Sequence, residues 1–460
     1  MSKNISRTLA FAAVLAALGS CVLLGSYGIG AQAQRRPELS TRAAKEAAIV
    51  TTTAAILEET SKIRELPILR PVKSGAQSRA EIERMLVKNL YEQMTTNDMH
   101  ATELTYRKLG LAPQSFEYRP FIIKLLSEQV AGYYDPVARE FYLADWLELE
   151  TQKPVMAHEL THALQDQHFN LRRFQKWPHG DADAELAAHA LIEGDATVTM
   201  MVYMAKNPLV ALAFTRSLTT GVSTEQYNQA PRILRESLVF PYLQGSEWAT
   251  GVYKREGFAG LSKAFSKLPL STEQILHQEK YVSYEQPVKV MLPDLSGLLN
   301  KGVATSSDAT AHSTLPTTAW RRVDSDVNGE WGYYLILDQF LNSPADSRRA
   351  AAGWAGDRFD VYEGANANQV MIALASVWDT EADAREFFEA YAKRTRVRYP
   401  EAKVLEDEKS RDSKPETRTF YSWDTSEGRV AIELKGLRVT IIEGVPTGSD
   451  TASLLTALQR

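Results

Sequence analysis

The chain has 460 residues, 44% hydrophobic and 24% charged, with a formal net charge of -5. These are globular proportions and exclude a largely disordered chain, while the small net charge excludes the basic footprint of a nucleic-acid binder. The length suits two ordinary domains better than one.

At the N-terminus, Lys3 and Arg7 precede an apolar run from Leu9 to Ile29 that ends in Ala31-Gln32-Ala33. Residues 1–33 therefore read as an export signal. The run is also long enough for an uncleaved membrane anchor, and Leu18-Gly19-Ser20-Cys21 loosely matches a lipidation box, although apolar Val22, Leu23 and Leu24 follow it. Each reading places the body of the protein outside the cytoplasm, periplasmic or secreted. Cys21 is the one cysteine, so the mature part has neither disulfide nor thiol nucleophile.

Residues 34–76 are polar and mixed, with a helical stretch from Ala43 to Ser61 and breakers at Pro67 and Pro71, and read as a lead-in. Ser78 caps a helix-period segment through Ile82, Leu86 and Leu90, and Phe121 to Gln129 forms another. The aromatic stretch 131–145 reads as a hairpin around Asp135-Pro136. Helices are expected from Pro154 to about Lys206 and on to Leu276. Residues 286–318, rich in Ser, Thr, Gly and Pro, read as a linker. Beyond it the pattern predicts a helix over 329–341, strands over 359–362 and 369–377, a helix over 381–394, and strands over 418–423, 429–434 and 438–443 with a tight turn at Lys435-Gly436. The fold expected is thus α+β: a mainly helical domain with a small edge hairpin over 77–285, then an α+β domain with an antiparallel sheet over 319–460.

The chemistry concentrates in "HELTHALQDQH", residues 158–168. His158 and His162 are four apart, so on a helix both imidazoles reach one ion at about 2.0–2.1 Å, and Glu159 is placed to meet a water rather than the metal. Met156, Leu160, Ala163 and Leu164 form an apolar stripe on the opposite side, with Pro154 in the first turn. A tetrahedral catalytic zinc needs a third protein ligand. His168 has the spacing of the metzincin pattern HExxHxxGxxH, but Gln165 replaces the glycine at which that helix turns, and in a continuing helix His168 points about 80–120° away. The other candidate is Glu193 in "DAELAAHALIEGDATVTMMVYMA", a segment apolar nearly all round. Glu193 shares a stripe with Leu186, Ala190, Thr197, Met200 and Met204, and a carboxylate buried there needs a cation. No Lys or Arg lies between Lys176 and Lys206, so a salt bridge would need a basic partner from elsewhere.

HExxH followed by glutamate on a later helix resembles the gluzincin metallopeptidases. Glu193-Gly194-x-Ala196 looks like the surround of the glutamate ligand in their aminopeptidase branch, although the 31 residues from His162 to Glu193 exceed the family's usual interval. "AHELTHALQDQHF", "EGDA" and "STEQILH" together resemble uncharacterised exported bacterial proteins described as zinc metallopeptidases, over about residues 115–285. The resemblance implies Zn2+ held by His158, His162 and Glu193, a water activated by the metal, and Glu159 as general base. It also implies an oxyanion donor, for which His277 is the first candidate, with Tyr281 and Tyr203 behind it; a helix-end role for His277 after the Ser271 cap is equally compatible with the sequence. Asp195 reads as a support for a zinc-bound imidazole or as a buried structural acid, and His189 as a packing residue. The strand Glu140–Ala144 is the expected edge that pairs with extended substrate, which would be a peptide or unfolded protein. The competing reading is an exported envelope-binding or structural protein whose metal site is structural or vestigial.

Overall fold

The computed structural model describes residues 42–218, 225–301, 319–366, 369–405 and 419–459. The expected export segment, with Cys21, and residues 302–318 of the expected linker lie outside the described residues.

The first helix, α1 (Arg42–Arg64), carries few large apolar residues, yet Ile49, Ile56 and Ile63 recur every seven and are buried, with Leu57 beside them. Positions seven apart share a helix face, so the stretch expected to be a lead-in instead packs into the core. It leads to β1 (Lys73–Gln77), then α2 (Arg79–Gln93) and α3 (Thr96–Lys108), both opened by capping boxes, Ser78 with Glu81 and Thr95 with Asp98. After α4 (Tyr118–Gln129) comes the expected hairpin, β2 (Gly132–Asp135) and β3 (Glu140–Ala144). Its turn is held by the Asp135 carboxylate, which accepts the Val137 and Ala138 N–H groups.

β3 is not an edge. β1 pairs with it in parallel from Lys73 opposite Glu140 to Gln77 opposite Ala144, so the three-stranded order is β1-β3-β2. The edge expected at Glu140–Ala144 is covered because a polar strand more than sixty residues upstream in the chain takes its free hydrogen bonds. β2 remains an edge.

α5 (Leu149–Phe169) begins five residues before Pro154, which sits inside the helix rather than in its first turn and costs one backbone bond. The helix runs unbroken through Gln165 and stops at Asn170, whose φ of 56° is left-handed. α6 (Ala182–Lys206) is buried along most of its length, as an all-round apolar segment requires. α7 (Pro208–Leu218) and α8 (Glu225–Gln229) precede the long α9 (Arg232–Ala264), and α10 (Thr272–Leu276), α11 (Gln278–Ser283) and α12 (Ser296–Lys301) complete the helical half. α6 and α9 cross backbone to backbone: a Cβ added at Gly194 would lie 2.2 Å from the Gly245 carbonyl oxygen, and one at Gly245 would lie 2.3 Å from that of Ala190. No single helix among the described residues is long and apolar enough to cross a membrane.

The second half comprises β4 (Arg321–Asp326), α13 (Gly329–Leu341), α14 (Pro344–Ala351), β5 (Trp354–Glu363), β6 (Val370–Trp378), α15 (Glu381–Arg398), β7 (Lys403–Val404), β8 (Phe420–Thr425), β9 (Gly428–Lys435), β10 (Arg438–Val445) and α16 (Thr451–Leu458). Its seven strands form one antiparallel sheet in the order β4-β5-β6-β10-β9-β8-β7, and Gly436, at φ 56°, makes the expected tight turn. The chain is therefore α+β. The two halves share one continuous hydrophobic core that includes Leu160 and Leu191 from the first and Trp331 and Val361 from the second. Polar ties reinforce it: buried Arg394 bonds Glu443 and the Leu109 carbonyl, and the Asp326 carboxylate accepts the Ala182 N–H at the start of α6.

Candidate metal centre

α5 presents His158 and His162 toward α6, and α6 presents Glu193 back. His158 Nε2 lies 3.0 Å from Glu193 Oε2, His162 Nε2 lies 3.2 Å from His158 Nε2, and His162 Nε2 lies 3.4 Å from Glu193 Oε2. Ligands about 2.0–2.1 Å from a tetrahedral ion are separated by roughly 3.3 Å, so these three atoms form one face of such a tetrahedron. His158, Glu159, His162 and Glu193 are all buried. Burial alone would raise the Glu193 carboxyl, but the His162 and His158 imidazoles outweigh it and hold Glu193 well below the carboxylate range. Burial pulls His158 down, whereas at His162 the Glu193 charge overcomes burial and raises the imidazole.

The outer contacts decide which nitrogen is available. Gln165 Nε2 donates to the Ile192 carbonyl at 3.0 Å and to Asp195 Oδ2 at 2.8 Å, which fixes the amide so that Oε1 faces His162 Nδ1 at 2.8 Å. Nδ1 therefore carries a proton, so in the neutral imidazole Nε2 is the nitrogen with the free lone pair. Asp195 is held in turn by Arg64, Nε to Oδ1 at 2.6 Å with both side chains fully buried, and Arg64 Nη1 donates to Ser262 Oγ at 3.0 Å. Asp195 is thus linked to His162 through Gln165 and not directly, and it is equally the buried, ion-paired acid of the other sequence reading. Tyr242 of α9 stacks on His158 with ring centroids 6.0 Å apart.

Glu159 sits beside the triad with its two oxygens in different situations. Oε2 accepts the Tyr134 backbone N–H of edge strand β2 at 3.0 Å, and Oε1 is buried with no hydrogen-bond partner among the described residues. One oxygen is positioned and the other is available to take a proton. Burial raises this carboxyl to about 8, in the range useful to a base near neutral pH.

The remaining sequence candidates lie elsewhere. His168 projects away, as the unbroken helix requires, and its Nε2 lies 2.8 Å from the Pro67 carbonyl. His277 lies at the end of α10 with Nε2 2.9 Å from Glu330 Oε1, held by α13 rather than brought to the histidine pair. The Tyr281 hydroxyl donates to the Lys267 carbonyl, and Tyr203 is ten residues along α6 from Glu193, about 15 Å of helix. His189 is buried one turn before Glu193, near enough to feel its charge, and its Nε2 has no hydrogen-bond partner among the described residues. A second acidic group, Glu273, Glu285 and Asp379, surrounds the Lys280 ammonium at 2.5–3.0 Å, so a cation of the chain itself already sits among them.

Arg64, Tyr134 and Tyr242 were not singled out from the sequence, and Gln165 was read there only as the residue in place of the metzincin glycine. Gln165 alone had a readable signal, three residues after His162 on the same helix, where a side-chain acceptor reaches Nδ1.

Residues 316–455 match a domain of unknown function (DUF8575). No curated protein and no solved structure matches the chain. The matched segment covers the second half and stops short of every residue of the triad.

Proposed function

We propose that the chain is a zinc-dependent peptidase of gluzincin-like arrangement, exported from a bacterial cell and acting on peptides or unfolded protein. The observation that carries this reading is the triangle of His158 Nε2, His162 Nε2 and Glu193 Oε2, 3.0–3.4 Å on a side, with the unpartnered Glu159 Oε1 beside it. The residues fit a zinc ion, which His158, His162 and Glu193 would hold: two imidazoles, one oriented by Gln165, and one carboxylate already drawn into the charged form. Zinc bound there supplies a Lewis acid for the scissile carbonyl and acidifies a water. Glu159 takes the proton of the attacking water on Oε1 and passes it to the leaving amine, while the Tyr134 N–H keeps its other oxygen in place. The substrate edge assigned to β3 passes to β2, since the Tyr134 amide already points from its open side to Glu159. A merely structural site has no use for such a base.

Metal analysis of the purified chain should return one zinc per molecule, lost in His162→Ala and Glu193→Ala and kept in His168→Ala. Glu159→Gln should keep the zinc and lose chelator-sensitive cleavage of a proteome-derived peptide library. Unchanged turnover in Glu159→Gln, or zinc retained in Glu193→Ala, refutes the proposal.

A further inference from the structure

We propose that the second half of the chain, the part matching an uncharacterised domain, builds one wall of the cavity that selects substrate, and that this cavity receives a large apolar side chain next to the scissile bond. The inference rests on the peptidase reading and assigns the site its substrate class.

A cavity of about 290 Å³ has Glu193 among its lining residues. Its walls come from three parts of the fold: Tyr106 and Leu109 from α3 and the turn after it, Leu234 from α9, and Val327, Trp331 and Phe359 from the second half. About 150 Å³ is enough to hold benzene, so this volume takes a phenyl or an indole group. The lining is mostly apolar, and burial against it is favourable in proportion to the apolar area removed from water. Asp183, Glu185 and Asp324 also line the cavity. No lysine or arginine is among its lining residues, so an acidic side chain entering it finds no basic partner there, which disfavours Asp and Glu.

The second-half wall is fixed to the same helix that carries the metal ligand. The Asp326 carboxylate accepts the first N–H of α6 at 2.8 Å, and the Asp357 carboxylate accepts the Asn328 and Gly329 N–H groups at 3.0 Å, which holds the turn bearing Val327. His189, on α6 one turn before Glu193, lines the cavity, and its buried Nε2 has no hydrogen-bond partner among the described residues, so a substrate amide would find a polar partner there.

The test uses the full chain and two cavity-filling variants from opposite walls, Val327→Trp in the second half and Ser237→Phe on α9. Three quantities are read: zinc per chain, the peptide-library cleavage profile, and binding of N-acetylphenylalaninamide to the chelator-treated protein. The parent should favour Phe, Leu or Trp over Ala on one side of the cleaved bond by on the order of 10- to 100-fold in kcat/KM, and should disfavour Asp and Glu there. Both variants should keep one zinc and lose the preference by at least about 10-fold, with loss of N-acetylphenylalaninamide binding. A folded, zinc-loaded Val327→Trp that retains the parent profile overturns the inference; if that variant does not fold, the same result in Ser237→Phe overturns it. Absence of zinc and of cleavage, with N-acetylphenylalaninamide binding that the variants abolish, refutes the peptidase reading and supports the cavity. Cleavage without side-chain preference refutes the cavity and leaves the peptidase reading standing.

Discussion

Gly194→Ala tests the contact that delivers Glu193. The added methyl would sit 2.2 Å from the Gly245 carbonyl oxygen, 2.5 Å from its carbon and 3.1 Å from Ala249 Cβ. A relaxed C···O contact needs about 3.3 Å, so α6 and α9 must part by about 1 Å. The opposing atoms are backbone and have no rotamer to escape into. Overpacking of this kind costs about 1–3 kcal/mol, and the better helix propensity of alanine returns up to about 1 kcal/mol, leaving a net loss of roughly 1–2 kcal/mol. The effect on the site is larger, because metal ligands tolerate only about 0.2 Å of displacement and Glu193 is the adjacent residue. Zinc affinity should fall at least about 10-fold. Urea unfolding with chelator present isolates the packing term, and competition titration with a chromogenic chelator reads the affinity. Gly297→Ala is the control: it lies in α12 with nothing within 4 Å of a new Cβ, so it should be neutral or slightly stabilising. If Gly194→Ala unfolds at the parent midpoint and binds zinc as tightly, the helices are not in backbone contact and the reasoning fails.

Gln165→Leu removes the acceptor of His162 Nδ1 and should lower zinc affinity about 10- to 100-fold with native circular dichroism; an unchanged affinity would refute the tautomer argument. Arg64→Met and Asp195→Leu each leave a fully buried charge without its partner and should cost about 3–5 kcal/mol, while the double variant should cost clearly less than the sum; strict additivity in urea unfolding would show that the pair is not coupled. At His277 the hydrogen bond to Glu330 raises the imidazole above its usual value despite partial burial. The stabilisation it gives is full below the unfolded value near 6.5 and is lost as pH rises through the raised folded value. His277→Gln should therefore lower the thermal midpoint more at pH 5.5 than at pH 9 and leave zinc content unchanged; an equal loss at both pH values would show that the pair does not titrate.

The legible parts of the fold were those in which one residue pattern allows one placement. An all-round apolar helix with a single carboxylate on its inner stripe announces a buried cation partner, and α6 with Glu193 is that case. The strands β6, β8, β9 and β10 have dense Val, Ile and aromatic content and fall within two residues of their expected bounds, whereas β5 begins five residues before its expected start. β1 was not legible: Lys-Ser-Gly-Ala-Gln has no alternation, and it is a strand only because β3 offers a parallel edge. β4, with Arg-Arg-Val-Asp-Ser-Asp, was missed for the same reason, as a charged strand at the margin of the large sheet. Arg64 gave no signal because its importance depends wholly on Asp195, more than a hundred residues away. Pairings of that range are set by tertiary geometry, and no local window contains them.

The buried charges around the triad bear on the valence of the proposed ion. Glu159, Asp195 and Glu193 bring three carboxylates into a region where all are nearly or fully buried, and Arg64 brings one guanidinium. With both imidazoles neutral, the sum is two negative charges, which a low-dielectric interior does not hold unaided. A divalent cation at the centre of the triangle brings the cluster to neutrality, and a monovalent one does not. The raised positions of Glu159 and His162 express the same requirement in protons: where positive charge is short, the cluster recruits it from water. Arg64 explains why the count closes at two, since without it the same three acids would call for three positive charges. The helix that supplies Arg64 is thus part of the electrostatics of the candidate centre, although it lies more than ninety residues before His158.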